Sequence, residues 1–196
     1  MIKSAKKAED GTYAIYNVYR EEAPTENVSV QLYRDAGSYK KHMKSKDYAA
    51  FQKVTSFGVT NETSVQVKPL FAKEKTLALY TNCIGDAKVM GREVFQVKPG
   101  QESNFAKSLV AFANEAANKQ AGLYASYVVQ YVDASNTFAL IQIFANASTY
   151  QYFQDQDLYK DWKASVASDL ASDEKDMLRA RVIENKGGLD YTRTLK

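Results

Sequence analysis

A chain of 196 residues with 45% hydrophobic and 25% charged side chains, three prolines and nine glycines can build a globular core, which excludes a disordered or fibrous polymer. A formal net charge of +3 is too small to point to nucleic acid or an anionic membrane surface, and no window approaches the roughly 18 consecutive apolar residues of a membrane span. The single cysteine, Cys83, excludes an internal disulfide and a cysteine-rich metal site, and the polar start at Met1 carries no apolar leader, so the expected setting is the cytoplasm.

In chain order, alternation predicts strands over 12–21 and 28–33, helical periodicity follows over 38–54, and another strand over 64–71. Residues 92–98 alternate again and stop at Pro99-Gly100, a strong turn signal. A helix is predicted over 103–120, where Phe105, Leu109, Phe112 and Ala116 recur at helical spacing and Gly122 closes the run. Strands over 124–132 and 137–144 are joined by the short polar residues Asp133-Ala-Ser-Asn136. Two helical pieces fill 146–171 with a joint at Asp155-Gln-Asp157, and a last strand covers 177–183. Strand, helix, strand, strand, helix, strand is the ferredoxin-like order of an α+β protein, with both helices on one face of an antiparallel sheet.

The chain is written twice. An offset of 111 lays Gly11-Thr-Tyr-Ala-Ile-Tyr16 on Gly122-Leu-Tyr-Ala-Ser-Tyr127 and keeps its register as far as Tyr80-Thr81 on Tyr191-Thr192. The expected division is a first repeat over 1–81, a linker over 82–91 and a second repeat over 92–196. The first repeat has no counterpart to the opening strand and most of the first helix. An uncovered strand edge invites aggregation. Three explanations stand side by side: a start upstream of Met1, the segments around 77–81 and 189–194 filling the gap, or a second molecule.

Alternation divides the hairpin strands into two faces. Val28, Val30 and Leu32, with Ala139, Ile141 and Ile143, are expected beneath the helices, and Gln31 and Gln142 on the opposite face, near Tyr16 and Asn17 of the adjoining strand. An amide there could bond a ligand carbonyl or bridge two sheets. Tyr39, Tyr48, Tyr150 and Tyr159 recur in both copies, as core or as site. Lys40, Lys41, Lys44 and Lys46 crowd one predicted helix, while the equivalent positions hold Gln151, Tyr152, Asp155 and Asp157. No carboxylate pair, phosphate loop, nucleophile triad or metal-ligand cluster is present in the sequence, so neither a metal nor a cofactor is expected.

The passage Val94-Phe-Gln-Val-Lys-Pro-Gly-Gln-Glu-Ser-Asn-Phe105, the helix after it, Ala121-Gly-Leu-Tyr-Ala-Ser-Tyr127 and Phe138-Ala-Leu-Ile-Gln-Ile-Phe144 resemble the antibiotic biosynthesis monooxygenase domain. The resemblance covers 92 to about 184, and 11 to about 73 in the shortened copy. It implies a dimeric α+β barrel, here formed within one chain by two ferredoxin-like repeats. Its members include cofactor-independent oxygenases of quinol-like aromatics, haem-degrading oxygenases and non-catalytic proteins.

Within the resemblance, Ser38-Tyr-Lys-Lys-His-Met-Lys-Ser45 is similar to a short-helix segment whose histidine faces the pocket, which implies His42 as a catalytic base. His42 falls on Phe153 in the second copy, an apolar helical position, so the competing reading is a histidine packed under the sheet. The haem-degrading branch places a histidine where this chain has Phe51-Gln-Lys53 and Trp162-Lys-Ala164, which argues against haem. The expected function is a cofactor-independent monooxygenase of a phenolic or quinol-like small molecule. His42 would be its base, and Tyr16, Asn17, Gln31, Tyr39, Gln142 and Trp162 would contact the substrate. The alternative is a non-catalytic, stress-related barrel that binds a small hydrophobic ligand. Either could act as a homodimer.

Overall fold

The computed structural model describes residues 11–75, 79–81 and 86–195. The first repeat contributes β1 (Thr12–Tyr19), β2 (Asn27–Tyr33), α1 (Ala36–Met43), α2 (Lys46–Thr55), β3 (Val67–Glu74) and the short β4 (Tyr80–Thr81). The second contributes β5 (Val89–Val97), α3 (Glu102–Lys119), β6 (Leu123–Tyr131), β7 (Thr137–Phe144), α4 (Ala147–Asp155), α5 (Asp157–Val166), β8 (Leu170–Asn185) and β9 (Asp190–Thr192). Cys83 lies outside the described residues.

Local chemistry repeats along with the order. Asp35 and Asn146 cap α1 and α4 by accepting from the backbone N–H of Ser38 and Thr149, at 2.7 and 2.8 Å. The two repeated glycines are forced by the same helices. A Cβ on Gly11 would lie 1.9 Å from Ser38 Oγ, and one on Gly122 would lie 2.3 Å from Thr149 Cγ2. Any side chain there would push the helix start off its strand, so glycine opens each copy.

All strands join one curled antiparallel sheet in the order β2-β1-β8-β5-β7-β6-β3-β9, with β4 on β8. Within the second repeat, β8-β5-β7-β6 is the ferredoxin-like order predicted from the sequence. The repeats exchange strands across a pseudo-two-fold axis. The end of β8 pairs with β1 (Ala14 with Asn185, Tyr16 with Ile183), and β3 pairs with β6 in the same register 111 residues away (Ala125 with Glu74, Tyr127 with Ala72). The result is the expected intramolecular barrel, and among the described residues no strand runs where the first strand of the first repeat would lie. The linker strand β4 takes an edge of β8 and the tail strand β9 takes an edge of β3, while β2 pairs only with β1 among the described residues. An ion-pair clamp also joins the repeats: the buried Asp176 accepts from Arg20 of the first and from Arg92 of the second.

The two faces of the sheet are opposite to the expectation. Ala139, Ile141 and Ile143 point into the barrel with Tyr16, Tyr127 and Ile183, and Val28, Val30 and Leu32 pack partly buried against the same interior. Phe138, Leu140 and Phe144 lie under the helices with Phe105, Phe112, Phe153 and Trp162, so Gln142 and Gln31 face the helix layer. The physical reason is double burial. In β7 every residue after Thr137 is buried, because the barrel interior covers one face and the helices the other, and apolarity then carries no direction.

Candidate functional site

The helix-facing layer exists in two versions. In the second repeat, Phe153 of α4 is buried with its ring 5.5 Å from Phe144 and 5.6 Å from Tyr159, and Phe144 lies 5.4 Å from Tyr150. Strand β5 and helix α3 seal this cluster. A Cβ on Gly91 of β5 would come within 2.6 Å of the Tyr150 ring, and Phe112 of α3 stacks 6.0 Å from Phe153. Below the tyrosines, the buried Glu93 accepts from Tyr159 Oη at 3.0 Å and from Lys163, which also reaches Asp173 at 2.8 Å. Burial, with the Glu93 charge next in weight, pushes the Tyr150 and Tyr159 phenols well above their usual range, so both stay protonated donors.

The first repeat reproduces this geometry with polar rings. His42 of α1 is buried, 5.5 Å from Tyr33 and 5.4 Å from Tyr48, and Tyr33 lies 5.4 Å from Tyr39. Each member matches one of the second repeat at the offset of 111, with His42 for Phe153 and Tyr33 for Phe144. Tyr33 Oη donates to Gln31 Oε1 at 2.7 Å, and Gln31 Nε2 donates to Ser29 Oγ at 3.1 Å. Asn17 is paired opposite Ser29, so its side chain shares that face. Burial, with the Glu62 charge, raises the Tyr48 phenol. Among the described residues nothing stands in the places of β5 and α3, and Tyr39 is exposed where its counterpart Tyr150 is buried.

His42, Tyr39, Gln31 and Asn17 are therefore brought onto one face, and the other three candidates lie elsewhere. Trp162 stacks on Phe112 at 4.2 Å and 9°, and its indole N–H donates to Ser108 Oγ at 3.1 Å. Gln142 is buried beside Ser126, at 3.5 Å, on the equivalent face of the second repeat. Tyr16 is inside the barrel. Tyr33 joins the His42 face without having been a candidate site residue, although its pairing with Phe144 at the repeat offset marks it as a polar departure from a packing position.

The barrel interior carries its own polar chain on the pseudo-two-fold axis. Tyr16 and Tyr127 meet hydroxyl to hydroxyl at 2.5 Å. Tyr127 donates to Glu74 Oε1 at 2.6 Å, and the Gly187 N–H donates to Glu74 Oε2 at 3.0 Å. At the other end, Asn185 Nδ2 donates to Tyr16 Oη at 3.1 Å. Because the one Tyr127 proton goes to the carboxylate, Tyr16 must donate to Tyr127, and the chain runs from Asn185 to Glu74 without a break. Burial above all raises both phenols. Glu74 and Asn185 are equivalent at the repeat offset, a signal that only the structure makes meaningful.

Near Glu74, a cleft of about 410 Å³ lies between β3, the start of β6 and the end of α3, lined by Lys73, Lys75, Ala117, Leu123, Tyr124 and Asp190 among others. No group of three or more metal-ligating side chains occurs among the described residues, and none of the described helices is long and apolar enough to cross a membrane.

The comparisons with known proteins agree with this architecture. No curated protein sequence is a significant match. Among solved structures, a candidate monooxygenase from Fusobacterium nucleatum superimposes with a TM-score of 0.86 at 22% identity, covering 98% of this chain and 90% of its own. Another from Lactobacillus acidophilus has a TM-score of 0.86 at 16% identity, covering 96% and 86%. An anthrone oxidase-like protein matches with a TM-score of 0.56 at 15% identity, covering 99% and 89%. At these identities the likeness speaks for the fold. Residues 92–165, within the second repeat, match the family model of the antibiotic biosynthesis monooxygenases.

Proposed function

We propose that this protein is a cofactor-independent monooxygenase of a phenolic or quinol-like small molecule, working at the helix-facing layer of the first repeat. One observation carries the reading. The two repeats share a cluster of four rings at matching separations, and only the copy with no counterpart of β5 and α3 among the described residues replaces phenylalanines by His42 and Tyr33. A polar, less enclosed copy beside a sealed, apolar one is the arrangement of a site next to its structural twin. The family match of the second repeat supplies the reaction class.

In this reading His42 accepts the proton of a substrate hydroxyl as a general base. Tyr39, Gln31 and Asn17 hold the resulting anion by hydrogen bonds, and its negative charge makes electron transfer to dioxygen easier. The substrate supplies two electrons and two protons. One oxygen atom enters the substrate and the other leaves as water, so no external reductant is consumed. Oxygen-electrode assays with hydroquinones and anthrone-type phenols test this: His42→Ala and His42→Phe should abolish uptake. Unchanged uptake in both would remove His42 from the mechanism.

The cleft near Glu74 favours the second reading, a ligand-binding barrel without turnover. Native mass spectrometry of freshly purified protein separates the two. A retained apolar ligand with no oxygen uptake on any quinol would support the binding protein.

A further inference from the structure

We propose that the tyrosine pair in the barrel core is a one-electron redox site, in which Tyr127 gives up an electron to a radical oxidant while its proton passes to Glu74. The chain of Asn185, Tyr16, Tyr127 and Glu74 is buried throughout and lies inside the barrel, on the other side of the sheet from His42. It takes no part in the chemistry proposed at His42.

The direction of its hydrogen bonds limits what the chain can do. An amide neither supplies nor takes up a proton near neutral pH, so no proton enters at Asn185 and the chain is not a proton conduit. Its protonation can change at the other end, where the Glu74 carboxylate accepts the Tyr127 proton at 2.6 Å. Ionising Tyr127 outright would set two anions side by side in the core. Burial above all, then Tyr16 and the Glu74 charge, holds that phenol well above its usual range. Loss of an electron removes the obstacle, because Tyr127 then becomes a neutral phenoxyl and Glu74 a neutral acid.

Atoms and electrons balance. The O–H bond of Tyr127 breaks, an O–H bond forms on Glu74 Oε1, and the electron reduces the oxidant, a peroxyl or semiquinone radical, to its anion. A thiolate or hydroquinone anion that returns the electron lets the proton move back to Tyr127. No heavy atom has to shift. Glu74 donates along the bond by which it accepted, Tyr16 still donates to Tyr127 across 2.5 Å, and the Gly187 N–H stays on Glu74 Oε2 at 3.0 Å. The phenoxyl oxygen thus receives two hydrogen bonds, and Ile143, Leu178 and Ile183 of the surrounding cluster keep water and other radicals away. Tyr159 also donates to a buried carboxylate, Glu93, but at 3.0 Å and with no second phenol bonded to it among the described residues.

Flash oxidation of the whole chain by tris(bipyridine)ruthenium(III), followed by freezing and high-field electron paramagnetic resonance, reads the site directly. The fourteen tyrosines give short-lived background radicals, and the expected result is a persistent phenoxyl signal that outlasts them. In deuterium oxide two exchangeable deuterons should couple to it, one on Tyr16 and one on Glu74. Tyr127→Phe should lose the persistent signal, and Glu74→Gln should lose it too, since an amide cannot take the proton. Tyr16→Phe should keep it, with one coupled deuteron fewer and a higher low-field g-value. Circular dichroism verifies that the variants fold, and the deuteron coupling of the wild type needs no variant. A wild type with background signals alone would overturn the proposal. So would a persistent signal that survives Tyr127→Phe or Glu74→Gln, or one that Tyr16→Phe abolishes. Neither substrate nor oxygen uptake enters the measurement, so this site can fail while the proposed activity stands.

Discussion

The pseudo-two-fold axis offers a sharp energetic test, because equivalent tyrosines there have unequal partners. Tyr127 donates to the carboxylate of Glu74, while Tyr16 receives only the amide of Asn185 and shares the central bond. Tyr127→Phe removes a buried hydrogen bond to a charged acceptor, which contributes about 2 kcal/mol, and a neutral one of about 1 kcal/mol. Tyr16→Phe removes two neutral bonds, about 2 kcal/mol in all. Urea unfolding should therefore show a loss of about 3 kcal/mol for Tyr127→Phe against about 2 for Tyr16→Phe, at unchanged m-value. The double variant should fall about 1 kcal/mol short of the sum, since the central bond is counted in both single variants. Equal losses, a larger loss at Tyr16, or strict additivity would refute the assigned direction of the chain.

Gly91→Ala would set its methyl 2.6 Å from the Tyr150 ring, and should destabilise the protein by about 1–3 kcal/mol in thermal or urea unfolding while Tyr150→Ala in the same background restores part of the loss. Alkali gives a third test. Tyr16, Tyr127, Tyr150 and Tyr159 all have phenols raised in the folded state, chiefly by burial. The unfolded chain releases these protons near pH 10 and the folded chain only above it. Their contribution is thus complete below about pH 10 and is lost as pH climbs toward the folded values. Urea midpoints should fall steeply above about pH 10, and Tyr159→Phe should flatten that fall. The acid side has the reverse sign at Asp35, which caps α1 and is lowered to about 2 by Arg34 and by the Ser38 backbone. Its contribution is present above the ordinary aspartate range and fades as pH drops toward that value.

The repeat was legible because geometry forces residues to recur. Gly11 and Gly122 recur because a helix start presses on each, and Tyr16 and Tyr127 because they meet at the axis. Element order and the barrel followed from that register. Which way the hairpin strands face did not, since β7 is buried on both sides and its apolar run looks the same from either. Trp162 and Gln142 looked like site residues by type, yet their neighbours Phe112 and Ser126 come from other elements, and only packing decides such contacts. Glu74 was invisible for the same reason. Its role exists only where β3 crosses to the other repeat.

The central claim is that the two copies have divided their labour, with the polar face around His42 receiving the substrate. Nuclear magnetic resonance titration of the isotope-labelled protein with a hydroquinone tests this most directly. The account predicts saturable shifts at His42, Tyr33, Gln31 and Tyr39 with little change around Phe153 and Phe144. Shifts confined to Leu123, Tyr124 and Ala117 in the cleft, or spread over both repeats alike, would contradict it.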